Sequence, residues 1–481
     1  MTGQPNVVFI LADQHRWDFL GGERNGVTFM PNLDRLAAAG TRFRAAYCTA
    51  PLCCPSRAAI ASGRYGMNTG CFTNLHQLPP GTPSFVQQFR QSGYRTCAIG
   101  KTHMEIHAYD SDLCSDQHRA LMDSLGWDEI CETSGDDMFR TGIRCAFSDF
   151  LKANHQLDAA LAFYDHWGYF MDASHRGDPS FLSHTWTLPE AFHGTSFIGD
   201  QALAWLRGRD QGQPFFLQVG FAAPHSPVAP VATYLDQYGQ SAEAAPWGVT
   251  SAPAWLPEGR RGYRATISQV DAYVGQIRDC LAQQGVLENT IIVYTADHGE
   301  MAGDHGRFGK TTFYEASVRV PMLFAGPGIQ GGQESAALVE LLDVGRTLNE
   351  LCGVTPHRLD QGHSLLPVLS GAQTAHRATV YAEMGCDRML RDERYKLVWG
   401  DPSLDTRKLG RLHLDKPVNI PPSPAALYDL QEDPHELRNL AGLPEYQATL
   451  QRLQEQLLIR LNENTQTQPY LSRGEYRPLR I

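Results

Sequence analysis

The sequence predicts an α/β protein, with a large, mostly parallel β-sheet sandwiched by helices and a smaller α+β domain after it. Two observations predict this fold class. Short apolar runs alternate with helical patterns through most of the chain, and the composition changes after about residue 370. We therefore expect a large domain over residues 1–375 and a C-terminal subdomain over residues 376–481.

The expected strands of the large sheet are continuous apolar runs. Helices cover both faces of a parallel sheet, so its strands are apolar at every position rather than at every second one. Five runs have this character, at residues 6–12, 96–100, 214–222, 290–296 and 320–325. Apolar residues at helical spacing lie between them, at residues 32–39, 84–91 and 268–284.

The C-terminal subdomain is predicted from shorter elements. Strand-like pieces at residues 378–382 and 395–399 indicate a small antiparallel sheet, and a Pro-rich loop follows at residues 418–424. A helix comes next, with leucines at positions 450, 453, 457 and 461 on one face. Residues 465–481 are polar and irregular; we expect a tail rather than an arm that packs on a neighbouring subunit.

Charge and composition narrow the function classes. The chain has 481 residues and a net charge of −11, and an acidic chain without a basic run is a poor partner for nucleic acid or an anionic membrane. No apolar run approaches the ~20 residues that span a bilayer, and the first residues lack the pattern of a signal peptide. Eleven scattered cysteines fit a reducing compartment. We expect a cytoplasmic protein that binds neither nucleic acid nor membrane.

Chemically useful side chains follow the predicted strands at the point where each strand ends. Asp13 and Gln14 follow the first run, Lys101 and His103 the second, His225 the third, and Asp297 and His298 the fourth. Ligands bind at the carboxyl ends of the strands in open α/β sheets. Each residue alone fits a structural role, but four coincidences predict one site at this edge.

A fifth segment adds a helix start. Pro55 suits the first turn of a helix, so Cys53 is expected just before free backbone N–H groups that favour an anion. Arg57, in the first turns, adds a fixed positive charge.

The segment Cys53-Cys54-Pro55-Ser56-Arg57 resembles the C-x-P-S-R signature of the type I sulfatases, in the alkaline phosphatase superfamily. The resemblance extends through segments near both ends of the chain: residues 6–13, 31–36, 100–103, 224–227, 296–300, 303–306, 310, 313–315, 319–321, 427–430, 433–434 and 439–440. It implies an alkaline phosphatase-like fold. It also implies that Cys53 is oxidised to formylglycine (3-oxoalanine), since only Cys53 has proline two residues on and arginine four residues on.

The resemblance implies a specific reaction. The formylglycine aldehyde hydrates to a gem-diol, one hydroxyl attacks sulfur and expels the alcohol, and the second hydroxyl loses its proton as sulfate leaves. By resemblance, the ligands of a divalent metal are Asp13, Gln14, Asp297 and His298, with position 53 completing the shell. Oxygen ligands favour Ca²⁺, which we expect, and the imidazole makes Mn²⁺ the main alternative.

Two of these ligands depart from the commonest family pattern. Many members carry Asp where Gln14 stands and Asn where His298 stands. The Gln/His pair occurs in branches that resemble choline sulfatases and phosphonate monoester hydrolases.

The resemblance assigns further roles. Lys101 and Lys310 match positions that hold sulfate oxygens, and Lys310 is also a possible proton donor to the leaving oxygen. Arg57 orients the gem-diol. His103 matches the base that drives sulfate elimination, and His225 the group that faces the leaving oxygen.

Three other polar residues are weaker candidates. Asn74 lies where some relatives place a sulfate contact. Asp304 and His305 lie near Lys310, and we interpret them as residues that shape a loop.

The predicted function is hydrolysis of a sulfate monoester. The alternative is a phosphonate monoester or phosphodiester hydrolase of the same superfamily; Lys101 together with His103 favours the sulfatase. A catalytically inactive binding protein with the same fold is disfavoured because the site residues are all present. The expected partners are a small-molecule or carbohydrate sulfate ester and a formylglycine-generating enzyme.

The sequence leaves the sulfated alcohol open among sugars, aryl groups and alkyl groups, and it predicts no oligomeric state. Residues 104–213 are rich in aromatic side chains, including Trp127, Trp167, Tyr169 and Trp186. Such rings can stack on a sugar or an aryl group, but we expect most of them in the core of an insertion.

Overall fold

A computed structural model describes residues 4–21, 28–106, 110–135, 138–166, 183–239, 245–385, 387–400 and 426–465. Eight strands form the large sheet: β1 (Asn6–Asp13), β2 (Thr41–Tyr47), β3 (Arg95–Gly100), β4 (Glu129–Glu132), β5 (Phe215–Pro224), β6 (Thr290–Ala296), β7 (Arg319–Ala325) and β8 (Gln333–Glu340). Their order across the sheet is β4-β3-β5-β1-β6-β7-β2-β8. All neighbouring pairs are parallel except those of β7 with β6 and with β2, so the predicted fold class is confirmed.

The direction of β7 corrects one expectation. Residues 320–325 were predicted as a parallel strand, but β7 runs antiparallel to both neighbours. Between β6 and β7 the chain forms only a short turn at Asp304–Gly306 and a four-residue helix, Glu315–Val318. Lys310, within this connection, contacts Gln14 just after the end of β1, so the chain stays at the edge where β6 ends and β7 enters the sheet from that edge. A continuous apolar run therefore indicated burial on both faces, not strand direction.

The α-helices within the described residues are α1 (Pro31–Ala39), α2 (Cys53–Ser62), α3 (Gly66–Thr69), α4 (Phe85–Gln91), α5 (Asp116–Ser124), α6 (Ala146–Ala153), α7 (Leu157–His166), α8 (Gly194–Gly208), α9 (Ala232–Leu235), α10 (Leu256–Gln283), α11 (Glu315–Val318), α12 (Asp343–Leu351), α13 (Leu366–Leu369) and α14 (Gln447–Thr465). The three predicted helices correspond to α1, α4 and α10, and α10 begins 12 residues earlier than predicted. None of the helices in the described ranges is both long and apolar enough to cross a bilayer.

Two hydrophobic cores lie on the two faces of the large sheet. Along β1, Val7 and Phe9 enter one core while Val8 and Ile10 enter the other. Side chains of α4 and α12 complete the first core, and side chains of α8 and α10 complete the second. The continuous apolar run of β1 is thus explained by burial on both sides.

The second sheet has four antiparallel strands, β9 (Val380–Met384), β10 (Asp387–Arg391), β11 (Tyr395–Trp399) and β12 (Ala426–Asp429), in the order β12-β11-β10-β9. The small antiparallel sheet and the leucine-bearing helix are present, and Leu450, Leu453 and Leu457 of α14 are buried against it. The Pro-rich loop at residues 418–424 and the tail beyond residue 465 lie outside the described residues. The division at residue 375 stays a prediction.

The aromatic insertion is described in part. Trp127 and Trp186 are buried in the two cores, as expected for residues that support the fold. Trp167 and Tyr169 lie outside the described residues.

Candidate active site

The ends of the two central strands supply the acids of the site. Strands β1 and β6 are neighbours, with Ala12 opposite Ala296, so Asp13 and Asp297 leave the sheet side by side. Cys53 begins the fully buried helix α2. One ligand atom each from Asp13, Cys53, Asp297 and His298 lies within 4.8 Å of the others, and all four residues are buried. We call these four residues the ligand cluster.

The spacing inside the ligand cluster is short. The Cys53 Sγ lies 3.2 Å from His298 Nε2 and 3.7 Å from Asp13 Oδ1. His298 Nε2 is 3.6 Å from Asp297 Oδ1. Carboxylate oxygens and an imidazole nitrogen that converge in this way are a donor set suited to a divalent cation.

Two cations hold the outer oxygens of the acids. Arg57, with 0 % of its side chain exposed, donates from Nε to Asp297 Oδ2 at 2.7 Å and from Nη2 to Asp13 Oδ2 at 3.3 Å. Lys101 Nζ lies 2.6 Å from the same Asp13 oxygen. Burial raises the pKa of Asp13, but Lys101 and Arg57 outweigh burial and hold that pKa far below its ordinary value. Asp13 is therefore ionised at neutral pH.

The same charges act on the thiol. Burial alone would raise the pKa of Cys53. The charges of Lys310 and Lys101 outweigh burial and hold that pKa well below its ordinary value, and His103 adds a hydrogen bond to the sulfur. The position therefore stabilises a negatively charged atom.

A second group of polar side chains lies around Gln14. Lys310 Nζ donates to Gln14 Oε1 at 2.5 Å and lies 2.5 Å from His225 Nε2. His225 Nδ1 contacts the carbonyl of Ser226, which places the ring proton on Nδ1 and leaves Nε2 to accept from the lysine. Gln14, Lys310 and His225 thus form one connected polar group.

The turn that carries Lys101 and His103 is held by a residue that sequence reasoning missed. Buried Glu132, in β4, accepts from the Thr102 backbone at 2.7 Å, from the Thr102 hydroxyl at 2.6 Å and from the His103 backbone at 3.3 Å. His103 has a φ of +54°, a left-handed conformation that this anchor helps to maintain. Residues 129–132 carry no strong strand signal, so the partnership is visible only in three dimensions.

Asn74 is placed beside the start of α2. Its Oδ1 accepts from the Cys54 backbone N–H at 3.0 Å. Leu52, just before the helix, provides no side-chain cap, so Asn74 satisfies a helix-end donor from outside.

Asp304 and His305 have loop-shaping contacts. The His305 ring stacks on Tyr314 with centroids 3.9 Å apart, and its backbone N–H donates to Trp247. Asp304 accepts from the Trp247 backbone and forms an ion pair with Arg16 at 2.6 Å.

The ligand cluster thus lies at the carboxyl ends of the central strands of the α/β sandwich. Residues 5–354 match the model of the sulfatase family, and residues 303–415 match the model described as N-sulphoglucosamine sulphohydrolase, C-terminal. The chain belongs to the sulfatase family, a family of sulfuric ester hydrolases.

Individual proteins support this assignment. An arylsulfatase of Clostridium perfringens is 27% identical over 493 residues, covering 95% of this chain and 94% of the relative. A protein solved in complex with its substrate D-glucosamine-2-N,6-O-disulfate superposes with a TM-score of 0.71 at 21% identity, covering 97% and 99% of the two chains. The phosphonate monoester hydrolase of Agrobacterium radiobacter has a TM-score of 0.75 at 22% identity, covering 98% of each chain. The two structural likenesses show a shared fold.

Proposed function

We propose that the protein hydrolyses sulfate monoesters at the ligand cluster, with residue 53 as formylglycine providing the nucleophile. The observation that carries the proposal is the position of Cys53. Its Sγ lies at the start of a buried helix, 3.2 Å from His298 Nε2, and the charges of Lys101 and Lys310 act on it. A group that must become an oxyanion is stabilised by this arrangement.

The ligand cluster offers donors that suit a divalent cation, and we propose that Asp13, Asp297, His298 and position 53 hold it together with Gln14. Two carboxylates balance the charge of such an ion, and we propose Ca²⁺, with Mn²⁺ as the alternative because of the imidazole. When bound, the ion supplies Lewis-acid stabilisation of negative charge on the nucleophile and on the sulfate.

The protein's own groups then position the substrate and move protons. Lys101 holds a sulfate oxygen. Arg57, which contacts both Asp13 and Asp297, keeps the side chain of residue 53 aligned with these two acids. The Lys310–His225 pair delivers the proton to the leaving alcohol; Lys310 Nζ and His225 Nε2 lie 2.5 Å apart and share one hydrogen bond. His103, hydrogen-bonded to position 53, accepts the proton of the remaining hydroxyl as sulfate leaves.

Residue 53 provides the direct test, and residue 54 the matched control. In protein produced together with a formylglycine-generating enzyme, the tryptic peptide 45–57 should have the mass of the aldehyde form. Cys53→Ala should lower kcat/KM for 4-nitrophenyl sulfate by on the order of 10³-fold or more, because the nucleophile is removed. Cys54→Ser should keep both the aldehyde and most of the activity. An active Cys53→Ala variant would overturn the proposal.

A phosphonate monoester hydrolase is the second candidate. The Gln14/His298 pair favours it, and so does the fold shared with the hydrolase of Agrobacterium radiobacter. Comparing kcat/KM for a nitrophenyl sulfate and a phenyl phosphonate monoester distinguishes the two, and we expect the sulfate to be preferred. A panel of sulfated carbohydrates against aryl and alkyl sulfates then identifies the alcohol.

A further inference from the structure

Glu300 lies two positions after His298 and is 1% exposed. Its Oε1 accepts backbone N–H groups from Ala302 at 2.8 Å and from Gly309 at 2.6 Å. Met301 N–H also donates to the Gly309 carbonyl, so the segment between them closes as a hairpin. The Glu300 carboxylate therefore joins the two ends of the hairpin that precedes Lys310.

The other oxygen of this carboxylate has a different partner. Glu300 Oε2 accepts from Gln14 Nε2, and Gln14 Oε1 accepts from Lys310 Nζ at 2.5 Å. An amide has one donor end and one acceptor end. Because the donor end is on Glu300, the oxygen must face Lys310. Gln14 adjoins the ligand cluster, because its backbone N–H donates to Asp297 Oδ1 at 3.0 Å. A cation held there would bind the amide oxygen and would be repelled by the NH₂ group.

We propose that Glu300 is a positioning residue that fixes the Gln14 amide with its oxygen, not its nitrogen, available to the cation. The inference rests on the proposed metal centre. Residues 14 and 300 therefore act as a pair in which an amide faces a carboxylate. Changing either residue alone disturbs the orientation of the amide.

The Glu300→Gln variant separates this role from hairpin closure. The variant keeps Oε1 for both backbone N–H groups, so the hairpin retains its two hydrogen bonds. Its new NH₂ group, however, faces the NH₂ group of Gln14. Two donors cannot satisfy each other, so Gln14 turns over and presents nitrogen toward Lys310.

Exchanging the two residues provides the rescue. Gln14→Glu alone places two buried carboxylates face to face. The double variant Gln14→Glu/Glu300→Gln restores one donor and one acceptor, and both its net charge and its side-chain lengths equal those of the original pair. The wild type, the two single variants and the double variant form a double-mutant cycle. If residues 14 and 300 act as a pair, the effects of the two substitutions should be strongly non-additive.

The cycle is measured by thermal-shift titration with Ca²⁺ and with Mn²⁺ after treatment with EDTA, and by Tm in EDTA alone. Glu300→Gln should need about 10–100-fold more cation for half-saturation, as expected when the partner of a metal ligand is lost. The double variant should return to within about threefold of the wild type, and in EDTA its Tm should exceed that of either single variant. Asp271→Asn is the control: this buried carboxylate accepts from the backbones of Asn32 and Leu33, so its loss should lower Tm and leave cation affinity unchanged.

Cation affinity of Glu300→Gln equal to the wild type would overturn the inference, as would a double variant weaker than both singles. A wild-type Tm that no cation changes would instead contradict the proposed function, so the two failures are distinct.

Discussion

Arg57 shows how a single side chain organises the charges of the site. It is completely buried, and its guanidinium spans both acids of the ligand cluster and the carbonyl of Lys101. A buried guanidinium is stable only where its charge and its N–H groups are matched. Arg57 therefore holds Asp13 and Asp297 with their second oxygens turned toward the cluster.

His225 provides a prediction at the same scale. Its Nε2 contacts Lys310 Nζ, which is the proposed route of the proton to the leaving alcohol. His225→Ala should reduce kcat about 10²–10⁴-fold for an alkyl sulfate, whose alkoxide needs a proton, and much less for 4-nitrophenyl sulfate. Parallel kcat measurements on both substrates test this, and an equal loss for the two would exclude His225 from proton transfer.

At the scale of elements, two helices begin with unusual caps. Helix α2 has no side-chain cap of its own and uses Asn74 from another segment. Helix α8 is capped by His193, which accepts from the Thr195 N–H at 3.1 Å and contacts the Ala229 carbonyl through its other nitrogen at 3.0 Å. This pair of partners requires the neutral ring, with the proton on Nε2.

The His193 cap predicts how stability depends on pH. Burial lowers its pKa from 6.5 to about 4, so below pH 6.5 the unfolded chain binds a proton that the folded protein excludes. The contribution of His193 to the free energy of unfolding is complete above pH 6.5. It is lost as the pH falls toward 4, which lowers the free energy of unfolding by roughly 3 kcal/mol.

Asn at this position keeps a capping acceptor that does not titrate. The Tm of His193→Asn should therefore fall less steeply between pH 6.5 and 4 than the Tm of the wild type, as measured by differential scanning fluorimetry. Exposed His155→Asn is the control and should follow the wild-type curve. Parallel curves for His193→Asn and the wild type would contradict the prediction.

At the scale of the whole molecule, strand order brings the site together. Strands β1 and β6 are central neighbours although they are far apart in sequence, and helices cover both faces. Strand β5 approaches the end of β3 so closely that only glycine fits at position 220. A Cβ on Gly220 would lie 2.3 Å from the Lys101 carbonyl oxygen. Lys101 is thereby held at the same edge as Asp13.

Metal removal tests the molecule as a whole. EDTA should lower both Tm and activity, and added Ca²⁺ should restore them, because a ligand at 100 times its Kd stabilises the folded state by about 2.7 kcal/mol. Asp297→Asn is the matched variant in which Ca²⁺ should no longer raise Tm. Insensitivity of the wild type to EDTA and to both cations would contradict the proposed centre.

The sequence by itself determined the fold class and the central strands, and it predicted that Asp13, Cys53, Asp297 and His298 lie in one site. Continuous apolar runs indicate strands that are buried on both faces of the sheet. The residues after β1 and β6 were predicted to lie together at the carboxyl edge of the sheet. The segment Cys53–Arg57 was recognisable because its residues are adjacent in the chain.

Only the tertiary structure decided the direction of β7 and the partnerships of Glu132 and Glu300. The direction of a strand depends on how the chain returns to the sheet, which local hydrophobicity does not encode. Gln14 and Glu300 are separated by 286 positions, and Thr102 and Glu132 by 30. A buried carboxylate acquires its role from the donors that the folded chain places around it, and those contacts exist only once the sheet has assembled.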